Sequence, residues 1–443
     1  MVFSRKINSK ISPRYNHKLL GLSIKLSHKD LRKFSKDITN NLKIRKKTEI
    51  PLYRKCIEVV LTNLLRCSKD EKLLYSRSKN KGFTKIRRYN PLGITVERLV
   101  KVIDILEEYG LLMNFIGNPA KNKENRVPSF IQPTDLFLDT FSDLDTLSES
   151  VEELYMDKEE CLILRDEHKQ LVEYRDNYYT RTARAVVVGL NSINRSFMFH
   201  DKDKQEITNH YCRIYNESFD KGGRFYRANI LNIKNKGTND RLKITCNYEP
   251  MVEVDYCNLH IMLLTVLQGF QYNPEIDLYN KCIPEKWINK NTRSVVKLAT
   301  NIMLNAKTKR SATSAIQELL EDYLKTSSDD FPSDCKSKTV MDWIYKGHAK
   351  LSEFFCSVDS TGLELMKLDS DMAHHVIHCF VSEEKPILPI HDSFLVRRSD
   401  KMFLVEAMAD AMKVVTGRED IQVPLEAEWW DEKYGYQSEK YLR

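Results

Sequence analysis

Asp255 and Asp392 are the two residues of this 443-residue chain whose settings best suit metal-assisted chemistry. Met251 to Val254 reads as a short buried strand, and Asp255 stands at its C-terminal end. A helical pattern follows at once, with Leu259, Met262, Leu263, Val266 and Leu267 at one-turn spacing. Further along, Pro386 to Ile390 is apolar, His391-Asp392 is a polar break, and Ser393 to Val396 is apolar again. That pattern predicts a β-hairpin with His391 and Asp392 at its tip. Aspartates on neighbouring strands can share two divalent cations roughly 4 Å apart, the two-metal route to phosphoryl transfer. Taken singly, each acid is equally at home as a strand end or a turn residue.

Three stretches between and around these acids carry complementary chemistry. Thr292 to Asn305 predicts a helix with Arg293, Lys297 and Asn301 on one face and Val295, Val296, Ala299, Ile302 and Met303 on much of the other. Two cations one turn apart, with no acid beside them in sequence, suit a triphosphate. Alone they would read as a solvated basic face. Lys221-Gly-Gly-Arg-Phe-Tyr226 offers close backbone approach together with a cation and stacking rings. Leu365 to Ile377 predicts a polar-faced helix entering the hairpin, its polar residues facing a primer end or template, or satisfying buried backbone.

In this order the set resembles the palm and fingers of single-subunit polymerases, the superfamily of family A DNA polymerases and bacteriophage- and mitochondrial-type RNA polymerases. Asp255-Tyr-Cys-Asn-Leu-His260 is similar to the first carboxylate motif, and His391-Asp-Ser-Phe394 matches the second as the phage-type enzymes have it. Thr292-Arg-Ser-Val-Val-Lys297 is close to the fingers-helix motif, Asp277-Leu-Tyr279 resembles the Asp-Ile-Tyr between the motifs, and Gly223-Arg-Phe-Tyr226 resembles Gly-Arg-Val-Tyr. The resemblance covers roughly residues 220–400. It implies an α+β right-hand polymerase core, a palm with an antiparallel sheet and helical fingers; the residues before it read as a mainly helical N-terminal region with a winged helix.

Carried over residue by residue, the resemblance implies that Asp255 and Asp392, with the backbone carbonyl of Tyr256, bind two Mg2+ ions, with Mn2+ as the alternative ion. Arg293 and Lys297 would hold the triphosphate, Lys297 also protonating the leaving pyrophosphate. Asn301, His260, Asn305 and Tyr256 would line the nucleotide, and Arg224, Tyr226 and His391 would meet nucleic acid. His260 stands where the DNA enzymes have a glutamate that blocks a ribose 2′-hydroxyl, and Asn305 where a tyrosine is usual. Both departures bear on sugar choice and insertion fidelity. A histidine can hydrogen-bond a 2′-hydroxyl rather than exclude it, and the closest motifs are those of RNA polymerases, which leans the reading towards RNA synthesis of a primase-like kind. The implied partners are a DNA or RNA template and nucleoside triphosphates. A small family A-type DNA polymerase is the rival within the class. A non-catalytic nucleic-acid-binding replication or regulatory protein is the rival outside it.

The rest of the chain must position these groups. A net charge of +8 suits a polyanionic partner, and the length suits two or three domains. Ten scattered cysteines without a CxxC pair argue against zinc and against a disulfide framework. No long apolar run is present, so no membrane span is expected. Residues 1–47 read as a basic N-terminal arm, whose acid-poor composition is also that of an organelle transit peptide but without an amphipathic arginine face. An intracellular, cytoplasmic protein is the expectation. Residues 48–134 read as a winged-helix-like nucleic-acid-binding module. Pro51–Leu65 predicts its first helix and Thr95 caps a second that stops at Gly110, while Leu111–Ile116 predicts a strand. Residues 135–160 read as an acidic linker, and 161–443 as the catalytic domain, opening with a long helical stretch over Cys161–Asn194. No residue pattern sets an oligomeric state.

Overall fold

The computed structural model describes residues 17–20, 29–42, 44, 46–65, 67, 71–77, 86–118, 127–141, 160–233, 235, 237–332, 334–358 and 361–443. They fall into two units, one running to Glu160 and including Leu171–Glu173, the other formed by Cys161–Gln170 and Tyr174–Arg443. Helices and largely antiparallel sheets make up both. Among the described residues no helix is long and apolar enough to cross a membrane.

The first unit runs β1 (His17–Leu19), α1 (Lys29–Asn41), α2 (Ile50–Leu65), β2 (Lys72–Tyr75), α3 (Val96–Glu108), β3 (Leu112–Phe115), β4 (Ser129–Pro133) and α4 (Asp135–Thr140). Its sheet has the order β1-β2-β4-β3. The predicted signals for α3 operate as read: the Thr95 side chain accepts the Arg98 N–H at 3.3 Å, and Gly110 takes φ +73° just past the end. Leu99, Val102, Ile103 and Leu106 are buried, one apolar stripe at helical spacing.

Two boundaries differ from the sequence expectation. Residues 29–41, placed in the basic arm, form a helix whose Leu31 and Ile38 enter the core of this unit. The first residues of the acidic linker also fold: Thr134 caps α4, and Phe137 is fully buried. In both segments a few apolar residues at helical spacing outweigh an otherwise charged composition. Residues 1–16, 21–28 and 142–159, the remainder of the expected arm and linker, lie almost entirely outside the described residues, as do 78–85 of the basic stretch in the module.

The second unit begins with β5 (Leu162–Arg165), α5 (Tyr178–Arg195), β6 (Phe199–His200), β7 (Cys212–Asn216), β8 (Ser218–Tyr226), β9 (Thr245–Cys246) and β10 (Glu249–Tyr256). It continues with α6 (Leu259–Leu267), α7 (Lys290–Asn305), α8 (Lys309–Ser327), α9 (Ser337–Gly347) and α10 (Thr361–Ser382). The hairpin β11 (Leu388–Ile390) and β12 (Ser393–Arg397), α11 (Lys401–Thr416), β13 (Pro424–Asp431) and β14 (Gly435–Leu442) close the chain. The expected helical run from Cys161 is in fact strand, turn and helix. Leu162–Arg165 pairs parallel with β7, and the helix starts only at Tyr178, capped by Asn177. A four-residue apolar run fits a buried strand or a helix equally, and here pairing decides.

A seven-stranded sheet has the main order β11-β12-β10-β13-β14, with β9 joined to β10 and β6 to β9. β10 is central, with β12 and β13 antiparallel on either side. Side chains alternate across a strand, and residues paired in register share a face. Val254 lies between Phe394 and Ala427, whereas Asp255 lies between Ser393 and Glu426. The apolar face is covered by α11, where the Tyr256 hydroxyl donates to the Met408 carbonyl at 2.6 Å. The other face carries the acids.

Candidate active site

The expected hairpin is present, with a two-residue tip: Ile390 pairs with Ser393, leaving His391 and Asp392 between them. His391 takes φ +62°, the left-handed conformation that such a tight tip demands. Asp255 pairs with Ser393, so the register sets Asp255 on β10 beside the hairpin tip that carries Asp392. Asn258, at φ +59°, turns the chain directly from β10 into α6, on whose first turn His260 sits.

The electrostatics of this corner are unfavourable for the protein alone. Asp255 Oδ1 is buried with no hydrogen-bond partner among the described residues. Burial pushes the Asp255 carboxyl well above the usual carboxylate range, and the Asp392 charge adds to the effect. Lys297, exposed on α7, acts in the opposite sense, while Glu253 and Glu428 on the same sheet face push the pKa further up. Glu253 itself is held in place: Arg241 grips it through Nε at 2.8 Å and Nη2 at 2.5 Å, and the Ser393 hydroxyl donates to it at 2.7 Å.

A carboxylate pair with one orphaned buried oxygen fits a hard divalent cation, which prefers oxygen ligands. Among the described residues, no group of three or more His, Cys, Asp or Glu side chains gathers as a fuller metal cage. Two carboxylates would leave most coordination positions to water or phosphate, the usual habit of Mg2+.

The nucleotide candidates divide by location. Arg293, Lys297 and Asn301 share α7 as expected, and Asn289 caps the helix. Arg293 is not free of acids, as its sequence surroundings suggest: its Nε donates to Asp277 at 2.6 Å, and its guanidinium lies 5.6 Å from the Tyr279 ring. Asp277 also accepts the N–H groups of Tyr279 and Asn280, so Asp277-Leu-Tyr279 forms a turn that tethers α7. Asn305 is exposed at the helix end and donates to the Asn301 carbonyl at 2.8 Å.

The nucleic-acid candidates converge from β8. Gly222 and Gly223 have φ of +74° and +88°, in an irregular stretch of the β7–β8 pair. A side-chain carbon on Gly223 would meet Ser370 Oγ at 2.8 Å. The glycines therefore permit close approach, but of α10. The Tyr226 ring lies 5.5 Å from that of His391. Burial holds the His391 imidazole below its ordinary pKa, helped by the Arg224 charge and opposed by Asp392 and Asp369.

Sequence reasoning missed the acids of α10. Asp369, fully buried, accepts Arg224 Nε on both oxygens at 3.0 and 3.1 Å and His260 Nε2 at 2.7 Å. Next to it, buried Arg213 donates to the Gly223 carbonyl at 2.7 Å, the Ser370 carbonyl at 3.0 Å and Asp371 at 2.9 Å. On α10 the Ser370 hydroxyl satisfies the Gly222 carbonyl at 2.9 Å, and Asp369 fixes two site residues, Arg224 and His260. The available signal was an Asp-Ser-Asp run inside a predicted helix, with unmatched arginines upstream.

No protein family matches the chain, and no curated protein matches it in sequence. Among solved structures it is similar to the POL domain of Pol1 from M. smegmatis, solved in complex with a DNA primer-template and dNTP. The identity is 9% and the TM-score 0.28, over 90% of this chain and 64% of that one. The chain thus spans just under two thirds of that neighbour's length.

Proposed function

We propose that the second unit is a template-directed nucleotidyltransferase that extends RNA, in the manner of a primase or compact RNA polymerase. The observation that carries the reading is the unpartnered, buried oxygen of Asp255 beside Asp392, with Lys297 acting on the same point. A protein that only binds nucleic acid has no use for two repelling carboxylates in its sheet, because their desolvation is costly unless a cation joins them. When bound, two Mg2+ ions supply activation of the attacking hydroxyl and stabilisation of the leaving oxygen.

The chain's own groups do the rest. Asp255 and Asp392 would hold the ions, together with the backbone carbonyl of Tyr256. Arg293 and Lys297 bind the triphosphate on one face of α7. The 3′-hydroxyl oxygen forms a bond to the α-phosphorus as its proton passes to water, the bond to pyrophosphate breaks, and Lys297 gives a proton to the leaving oxygen. With its Nε2 given to Asp369, His260 would accept a ribose hydroxyl at Nδ1 rather than bar it, which favours ribonucleotides over the DNA-synthesising alternative.

The first unit suits a nucleic-acid-binding role. Helix α3 leads into the β3–β4 hairpin, and β2 lies beside β4, the strand order of a winged helix.

The test is nucleotide incorporation by purified protein with Mg2+, on single-stranded DNA and RNA templates, with and without primer. Ribo- and deoxyribonucleotides are offered separately, with Asp392→Asn as the blank. Templated product absent from the blank is expected. Synthesis near wild type in Asp255→Asn or Asp392→Asn overturns the two-metal assignment. Bound nucleic acid without product under every condition points to the binding protein instead.

A further inference from the structure

Arg224 is the cation that could disable the carboxylate pair. Its guanidinium is partly buried on β8, 3.3 Å from His260 Nε2 on the helix that follows Asp255, and two residues along the strand the Tyr226 ring lies 5.5 Å from that of His391, the neighbour of Asp392. A guanidinium held near an unpartnered carboxylate would ordinarily form a bidentate pair with it. Here both oxygens of Asp369 occupy the guanidinium instead, at 3.0 and 3.1 Å from Nε with Nη2 also bound. Burial alone would weaken the Arg224 charge, and Asp369 more than restores it. The same carboxylate takes His260 Nε2 at 2.7 Å. Since a carboxylate can only accept, Nε2 carries the proton, and its 3.3 Å approach to Arg224 Nη2 sets two donors around one acceptor.

We propose that Asp369 is a positioning residue which sequesters the Arg224 cation and so keeps Asp392 open to a divalent metal ion. The inference rests on the two-carboxylate reading of the site and adds a role for a third acid that touches no metal. Asp369 lies on α10, Arg224 on β8 and His260 on α6, so one buried carboxylate ties three elements around the pair.

Calorimetric titration of the full chain with Mn2+ tests this without any turnover. Asp369→Asn keeps the shape and removes the charge. It is expected to weaken Mn2+ binding about tenfold, the effect of one uncompensated positive charge near a divalent ion. Arg224→Gln combined with Asp369→Asn is expected to return affinity to within about threefold of wild type, because the competing cation has gone. Packing damage would not be repaired by a second substitution. Unchanged affinity in Asp369→Asn, or a double variant as weak as the single, overturns the proposal while leaving the metal site standing.

Should Asp369→Asn show no cooperative melting transition, Arg224→Gln alone decides. With Asp369 still held by His260 Nε2 and no guanidinium left to compete, Mn2+ binding at least as tight as wild type supports the proposal, and weaker binding overturns it. If neither wild type nor Asp255→Asn takes up Mn2+, the two-carboxylate reading itself fails, and this inference with it.

Discussion

Asp255 on β10 pairs in register with Ser393 on β12, which sets Asp392, one residue earlier, beside it at the hairpin tip. The pairing brings together two acids 137 positions apart in the chain, 392 minus 255. It also creates a local cost, since neither burial nor the neighbouring charges favour an ionised Asp255 apart from Lys297.

That cost gives the first prediction. The Asp255 pKa is raised in the folded protein, so its contribution to stability is present below the ordinary carboxylate pKa of 3.8 and is lost as pH rises through the folded value. At neutral pH in the absence of divalent ions, Asp255→Asn should therefore be more stable than wild type by about 0.5–2 kcal/mol. Urea denaturation in EDTA at pH 7 and pH 4 measures it. A gain at pH 7 that shrinks at pH 4 is expected, and a loss at pH 7 would contradict the strain at this carboxylate.

Buried imidazoles set the acid limb. Burial, then the positive charges of Arg213, His378, Lys367 and His375, hold His374 down to about 3. Burial and Lys281 hold His348 down to about 4, against a backbone hydrogen bond with Leu278. Depressed values mean stability that is present above 6.5 and lost as pH falls towards 4 and 3. Thermal melts across that window should fall steadily, and His374→Gln should flatten the slope. An identical slope in the variant would remove His374 from the account.

Gly223 should tolerate no side chain. Its φ is +88°, and an added carbon would meet Ser370 Oγ and the Tyr215 ring, each at 2.8 Å. Gly237 has nearly the same φ, +86°, with nothing within 4 Å. Alanine at Gly237 thus reports backbone strain alone, about 1 kcal/mol, and alanine at Gly223 should cost about 1–3 kcal/mol more from the clash. Equal melting temperatures for the two variants would show that α10 moves aside freely.

Asp277→Asn isolates the tether on Arg293. The asparagine oxygen can still accept the Tyr279 and Asn280 N–H groups, while the ion pair is lost. Both partners are about a third exposed, so stability should change by less than about 1 kcal/mol. The KM for the nucleoside triphosphate should rise roughly three- to tenfold with kcat little changed, since the loss is one of ground-state positioning. A fall in kcat with KM unchanged would place Arg293 elsewhere in the reaction.

Much of the local structure was legible because it depends on neighbours in sequence. The α3 helix between Thr95 and Gly110, the strand ending near Asp255, the start of α6 and the His391-Asp392 tip each follow from short-range spacing and turn chemistry. The same rules misread Cys161–Asn194, because the partner of β5 lies about 50 residues away in β7. They could not assign α1 or α4 to the core, since burial is a property of what packs against an element.

For the site, the chain by itself determined which groups are available: two aspartates at strand ends, cations on one face of α7, glycines before Arg224. Only the tertiary structure decided which of them meet. Register across β10 and β12 set Asp255 beside Asp392, and packing of α10 on β8 gave Arg224 to Asp369 instead of leaving it unmatched. The physical reason is that ion pairs and carboxylate repulsion act through space over a few ångströms, whereas sequence patterns report only the few residues on either side. Arg293 shows the same limit: no acid stands beside it in sequence, yet Asp277, 16 positions earlier, holds its Nε at 2.6 Å.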